Sequence, residues 1–160
     1  MAAESKRPGF IRHYTEIEEP TGQGDLAALL APFGRRLGLS RLGINLETIP
    51  PGCRSAEPHA HEREEEFVYV IEGHPDAWID GELHGLGPGD GIAFPAGTGI
   101  AHCFLNSTQG AVRLLIIGEH HPEDRVAYPL NPERHAAPNN WSDAPARPLG
   151  RHDGRAKQRE

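Results

Sequence analysis

From residue 41 onward the chain alternates. Leu42, Ile44 and Leu46 are apolar, and Gly43, Asn45 and Glu47 between them are not. A period of two marks a strand with one buried face; Asn45 and Glu47 line the barrel if the strand turns its polar face in, but the alternation favours their exposure. Pro50-Pro51-Gly52 ends the pattern with residues that favour turns. Residues 67–71 form an apolar run closed by Gly73. Residues 77–79 and 82–86 flank Asp80-Gly81, a strong two-residue hairpin signal. Gly87-Pro88-Gly89-Asp90 is a further turn, and residues 92–94, 102–106 and 112–117 complete a series of short strands. Strands at such close spacing predict an all-β barrel or sandwich. Upstream the period changes. Leu26, Leu29, Leu30 and Phe33 fall on one side of a predicted short helix, with Asp25 as its N-cap and Pro32 and Gly34 limiting its length. Residues 1–20 are polar and irregular. Beyond Gly118 the chain is rich in Pro, Asn and charge, and is expected to wrap the barrel or to fray past about Gly150.

Composition adds limits. A length of 160 residues suits one domain, with a barrel core over 42–118, an N-terminal arm over 1–41 and a C-terminal wrap over 119–160. The 19 glycines and 15 prolines suit a fold of many turns. No apolar stretch approaches the roughly 20 residues of a membrane span, so no membrane partner is expected. Residues 1–9 contain no apolar segment of the secretory kind, which makes the cytoplasm the expected location. Two cysteines, Cys53 and Cys103, form no CxxC pair and read as reduced thiols.

The net charge is −7, and its distribution is more informative. Between residues 42 and 118 three arginines face eleven acids. An acidic centre argues against nucleic acid, whose phosphates need a basic surface, and favours a bound cation.

The chemistry begins at Pro58-His59-Ala60-His61. Residues two apart on a strand face the same side, about 6.6 Å apart, so two imidazoles could converge on one ion. Two surface histidines in a polar loop are the plainer alternative. Glu66 heads the following apolar run, where a carboxylate is costly unless something cationic meets it. Glu62, Glu64 and Glu65 precede that run and read as a solvated rim. His102 opens a later strand, just after the turn Pro95-Ala96-Gly97-Thr98-Gly99.

These residues resemble the two motifs of the cupin family. Gly52, His59, His61, Glu66 and Gly73 are similar to the first, and Gly89, Pro95, Gly97, His102 and Asn106 to the second. The intervals from Glu66 to Gly73, Gly89 to Pro95 and His102 to Asn106 match. Those from Gly52 to His59 and Gly97 to His102 are longer by one and two residues, both in loops, where insertions are tolerated. The resemblance implies a double-stranded β-helix, or jelly-roll barrel, with one divalent metal ion on His59, His61, Glu66 and His102. It also implies a homodimer, and a likeness to small bacterial cupins sometimes labelled sugar phosphate isomerases. Three imidazoles and a carboxylate leave one or two positions open on the ion. Zn, Fe, Mn and Ni all suit that set.

Alternation extends the site. Val68 falls on the inner side with Glu66, and Phe104 and Asn106 with His102. They make a pocket that is largely apolar with a few polar groups. Cys103 should face away. Asn106 could instead tie down a turn. Arg54 lies near the mouth, either holding a substrate anion or standing as a surface residue. Outward Phe67, Tyr69 and Ile71 need covering. Lys6 and Lys157 are the only lysines and lie near the ends, so a lysine Schiff base within the barrel is excluded.

Three functions compete. The first is a metal-dependent isomerase or lyase acting on a small sugar-like molecule or a hydroxy or keto acid. The second is an Fe(II) dioxygenase, and the third a non-catalytic small-molecule binder or sensor. With three arginines in the centre of the chain, a phosphorylated substrate is the least favoured form of the first.

Overall fold

A computed structural model of the protein describes residues 7–157; Lys6 and the rest of segment 1–6, like 158–160, lie outside it. The regular structure of the described chain is mostly β, with antiparallel pairing between its strands. Strands β1 (Glu19–Thr21), β2 (Ala28–Ala31), β3 (Leu42–Ile49), β5 (Glu66–Glu72), β8 (Gly91–Phe94) and β10 (Val112–Glu119) form a six-stranded sheet in the order β1-β2-β3-β10-β5-β8. A second sheet holds β6 (Asp76–Ile79), β7 (Glu82–Gly85) and β9 (His102–Leu105) in the order β7-β6-β9. A short ladder joins β4 (Ala60–His61) to β11 (Val126–Ala127). This is the predicted all-β, jelly-roll arrangement, although the sheets do not close into a continuous barrel.

The core lies between the two larger sheets. Val68, Val70, Phe94, Val112 and Leu114 from the six-stranded sheet pack with Ala77 and Phe104 from the other. Each large apolar side chain buried there contributes roughly 1.5–3 kcal/mol. Strand β9 is buried along its whole length, and alternation explains how. Phe104 faces the inner core, while Cys103 and Leu105 face a second cluster containing Trp78, Ala101 and Trp141. The C-terminal segment supplies Trp141 and so covers the outer side of this sheet.

That segment wraps the barrel up to the last residues described. The Gly150 and His152 amides donate to the carbonyls of Asp80 and Gly81, and Trp78 Nε1 donates to the His152 carbonyl at 2.9 Å. The β6–β7 turn is the expected two-residue hairpin, with positive φ at Asp80 (48°) and Gly81 (91°), as a type I′ turn requires. A Cβ at Gly81 would lie 2.4 Å from the Gly150 nitrogen, so the wrap needs glycine there as much as the turn does.

Two local expectations are corrected. The predicted helix over Leu26, Leu29, Leu30 and Phe33 is a 3₁₀ turn (Gly24–Leu26), then strand β2, and only then a four-residue helix α1 (Phe33–Arg36). Strand β2 pairs with β3, setting Leu29 opposite Thr48 and Leu30 opposite Glu47. Satisfying the edge of β3 outweighs the local periodicity. The second correction concerns the inward side of β3. Glu47 lies opposite Leu114, and Ile49 opposite Val112. Directly paired residues share a side of the sheet, so Glu47 and Ile49 point inward with those core residues. Glu47 is 5% exposed, not solvated as the alternation alone suggests. Leu46, on the opposite side by parity, is also buried, which removes the contrast that alternation relies on.

Candidate metal centre

Four side chains from separate elements come close together. His59 precedes β4 and makes an isolated bridge to His102. His61 ends β4, Glu66 begins β5 and His102 begins β9. The ring centroids of His59 and His61 are 5.0 Å apart, and those of His59 and His102 are 4.9 Å apart. One ligand atom from each of His59, His61 and Glu66 lies within 4.8 Å of the others. His102 Nε2 stands 3.1 Å from Glu66 Oε1, and its ring stacks on Phe94 at 3.6 Å between centroids. A cavity of about 10 Å³ between His61, Glu66 and His102 has the size of one water-like sphere.

The hydrogen bonds determine which ring nitrogens are free. His59 Nδ1 faces the Glu57 carbonyl at 2.8 Å, and His102 Nδ1 faces the Ile100 carbonyl at 3.3 Å. Carbonyls only accept, so a neutral ring carries its proton on Nδ1 and presents a lone pair at Nε2. The 3.1 Å contact of His102 Nε2 with the Glu66 carboxylate then needs a positive charge between them, supplied either by a proton on the imidazolium or by a shared cation. The donor set therefore fits a divalent cation. Burial, reinforced by the charge of His102, lowers the His59 pKa to about 4, which keeps the ring in its ligating form. Burial pushes the Glu66 carboxyl up, but the hydrogen bond from His102 and the neighbouring imidazoles bring it below its usual value.

A larger cavity of about 430 Å³ adjoins His59 and His61. Its walls include Leu26 and Leu30 from the N-terminal arm, Glu47 from β3, and Tyr128 and Arg134 from the C-terminal segment. Glu47 sits there with its pKa pushed up to about 8, first by burial and then by the charge of Glu66. Arg134 is already engaged: its Nε donates to Glu57 at 3.0 Å, and its guanidinium lies 5.2 Å over the Tyr128 ring.

The remaining predicted pocket residues are placed elsewhere. Val68 and Phe104 belong to the inner core and do not line the 430 Å³ cavity. Asn106 ties a turn, donating to the carbonyls of Ile49 and Gly110 and accepting from the Thr108 amide. Arg54 is buried rather than on the surface. It donates to the Gly154 carbonyl and pairs with Asp25 at 3.1 Å, beside a separate cavity of about 300 Å³. Cys103 faces the outer cluster, as parity requires.

Sequence reasoning missed Arg134 and also Asp124, whose Oδ2 lies 2.6 Å from His61 Nδ1, and did not assign Tyr128 to the site. All three follow Gly118, outside any periodic pattern, so no local signal marked them. It weighed Glu47 but assigned it to solvent.

Comparison with known proteins agrees with this architecture. The model of the cupin domain matches residues 45–118. The structure of a candidate sugar phosphate isomerase from Acidithiobacillus ferrooxidans is similar at 30% identity and a TM-score of 0.69, covering 76% of this chain and 81% of that one. A sugar phosphate isomerase of the cupin superfamily from Silicibacter pomeroyi is 33% identical, with a TM-score of 0.62 over 70% of this chain and 74% of that one. The chain belongs to the cupin superfamily. Among curated proteins it is 35% identical over 92 residues to the polyketide synthase CurC of Streptomyces cyaneus, a match spanning 58% of this chain and 56% of CurC.

Proposed function

We propose that this cupin is a metal-dependent enzyme of isomerase or lyase type, which moves a proton on a small, oxygenated, uncharged substrate. His59, His61, Glu66 and His102 are the ligands in this reading. The observation that carries it is the second carboxyl. Glu47 lines the same cavity as two of the ligand imidazoles and holds its proton close to neutral pH. A general acid or base works best with a pKa near the operating pH, and two carboxyls with opposite protonation divide the roles of acid and charge stabiliser.

A divalent ion at the site supplies Lewis-acid polarisation of substrate oxygens. The protein supplies the rest. Glu47 gives or accepts the proton. Leu26, Leu30 and the Tyr128 ring form an apolar wall of the cavity. Among the described residues lining the cavity Arg134 is the only arginine or lysine, and Glu57 already accepts its hydrogen bond. A phosphate group is therefore poorly served, and a neutral hydroxy-carbonyl compound fits the cavity better than a sugar phosphate.

Two further features of the reading rest on surfaces. The unpaired thiols Cys53 and Cys103 suit a reducing cytoplasm. Exposed Phe67, Tyr69 and Ile71 on the outer side of β5, with an apolar cleft of about 260 Å³ between Leu42, Phe67 and Ile117, suit a homodimer. Light scattering should give twice the chain mass, and a monomer at micromolar concentration would refute the dimer.

The function is tested by elemental analysis of the purified protein beside its His102→Ala variant, followed by incubation with neutral hydroxy-carbonyl compounds in D₂O. The expected results are one divalent ion per chain, lost in the variant, and deuterium entering the substrate without oxygen uptake. Metal content unchanged in the variant would sink the ligand set, and oxygen consumption would replace the isomerase reading with a dioxygenase.

A further inference from the structure

Each of the three site histidines has an acceptor at Nδ1, but they are not of the same kind. His59 and His102 use carbonyls two residues away in their own loops, Glu57 and Ile100. His61 instead faces a carboxylate from a distant part of the chain: its Nδ1 is 2.6 Å from Asp124 Oδ2. The Asp124 side chain is only 8% exposed, and its other oxygen accepts the Arg63 backbone N–H at 2.8 Å. Both oxygens are thus committed, one to the ring and one to the backbone beside it.

The carboxylate is held there by the ladder between β4 and β11. Val126 pairs with His61, and the Glu62 amide donates to the Arg125 carbonyl. Arg125 closes the same junction through two 2.7 Å hydrogen bonds to Glu62. Asp124 lies six residues beyond the segment that matches the cupin domain model, so the C-terminal segment completes the site from outside it.

His61, Glu64 and Asp124 could also be read as a cation site of their own. The geometry opposes that. Donors about 2.1 Å from one ion and at right angles stand close to 3 Å apart, whereas Nδ1 and Oδ2 are 2.6 Å apart, a charge-assisted hydrogen-bond distance. Glu64 is engaged as well, accepting from the His121 amide.

We infer that Asp124 is a positioning residue which fixes the proton of His61 on Nδ1 and thereby keeps Nε2 available to the metal. The inference rests on the proposed role of His61 as a ligand. The physical reason is that a carboxylate only accepts, so the neutral ring must donate to it from Nδ1, and such an outer partner sets both tautomer and ring orientation. Asparagine has the same shape but a single acceptor. If its oxygen serves the Arg63 N–H, its amide donates toward His61 Nδ1 and the ring proton moves to Nε2, which blocks the ligand atom. The opposite orientation sets two donors, asparagine and the Arg63 amide, against each other.

The test compares wild type, Asp124→Asn and Glu64→Gln as full chains. The tautomer of His61 is read from imidazole ¹⁵N shifts of the metal-free proteins, and Zn²⁺ and Co²⁺ affinity from chelator competition. Expected are Nδ1–H in wild type and Nε2–H in Asp124→Asn. Affinity in Asp124→Asn should fall about 10- to 100-fold, with an altered Co²⁺ absorption spectrum. Glu64→Gln removes a carboxylate 3.8 Å from the same ring nitrogen without touching its acceptor, and should retain both tautomer and affinity. An unchanged tautomer in Asp124→Asn overturns the inference, as does an equal loss of affinity in Glu64→Gln. So does a second bound ion per chain that disappears with Asp124. If wild type binds no metal, the metal reading fails, and the ¹⁵N shifts still decide whether Asp124 sets the tautomer.

Discussion

Two glutamates on neighbouring parts of the same sheet have opposite fates. Glu66 at the head of β5 and Glu47 near the end of β3 are both withdrawn from water, and burial pushes both carboxyls toward the neutral form. Glu66 meets imidazoles, including His102 at 3.1 Å, and stays ionised. Among the residues acting on Glu47, the one that matters after burial is Glu66 itself, a like charge, so its pKa rises to about 8. Burial alone therefore does not determine the state of a carboxyl; the sign of the nearest partner does. The first becomes a site for a cation, the second a reservoir for a proton.

The sharpest way to break this comparison is to neutralise each carboxyl in turn. Glu47→Gln should leave metal content near wild type while turnover falls by about 10²- to 10⁴-fold, the usual contribution of a general acid or base. Glu66→Gln should reverse the pattern. Metal affinity should drop by at least the roughly 10- to 100-fold that losing an outer partner costs, measured by chelator competition. Equal effects of the two variants on metal affinity would abolish the distinction.

A packing change probes the two glutamates unequally. Trp141 is buried against the outer side of β9, the strand that carries His102. Trp141→Ala should cost about 3–5 kcal/mol in urea unfolding. It should also weaken metal binding at the Glu66–His102 end, while Glu47 on β3 keeps its raised pKa.

The pH dependence of stability carries opposite signs for the two groups. For Glu47 the folded pKa lies above the unfolded value of 4.5. Its contribution is complete below pH 4.5 and is lost as pH rises toward 8. For Glu66 the folded pKa is lowered, so its contribution is present above 4.5 and is lost as pH falls through the folded value. Metal-free wild type should therefore lose stability relative to Glu47→Gln between pH 5 and 8, on the order of a few kcal/mol, in urea midpoints at fixed ionic strength. A bound cation should shrink that difference.

The smallest effect concerns Cys103, a second group that burial acts on with no adequate partner. Its thiol is pushed up to about 12, so a thiol reagent at pH 8 should label Cys53 and leave Cys103 unmodified until the protein unfolds.

The legible part of the molecule is the part in which neighbours in sequence are also neighbours in function. Strands β5, β6, β7, β8, β9 and β10 follow their apolar patterns and turn residues closely. His59, His61 and Glu66 come together because a short loop and two strand ends join them, and His102 follows from the glycine-rich turn before it. Strand β2 was not legible, since its pairing with β3 is a long-range contact that its own periodicity contradicts. Arg54 was placed near the mouth, yet its partner Gly154 stands a hundred residues away.

By itself, the sequence determined the all-β architecture, the inward parity of the site residues on β5 and β9, and the donor types that suit a divalent cation. These follow from period-two alternation and from motif spacing, which act over a few residues. Tertiary structure alone decided the inward facing of Glu47, the Nδ1 partner of His61, and the cavity walls at Leu26, Leu30, Tyr128 and Arg134. Each of these depends on two segments far apart in the chain lying side by side. The burial, the partner charge or the acceptor that defines the group exists only once they do.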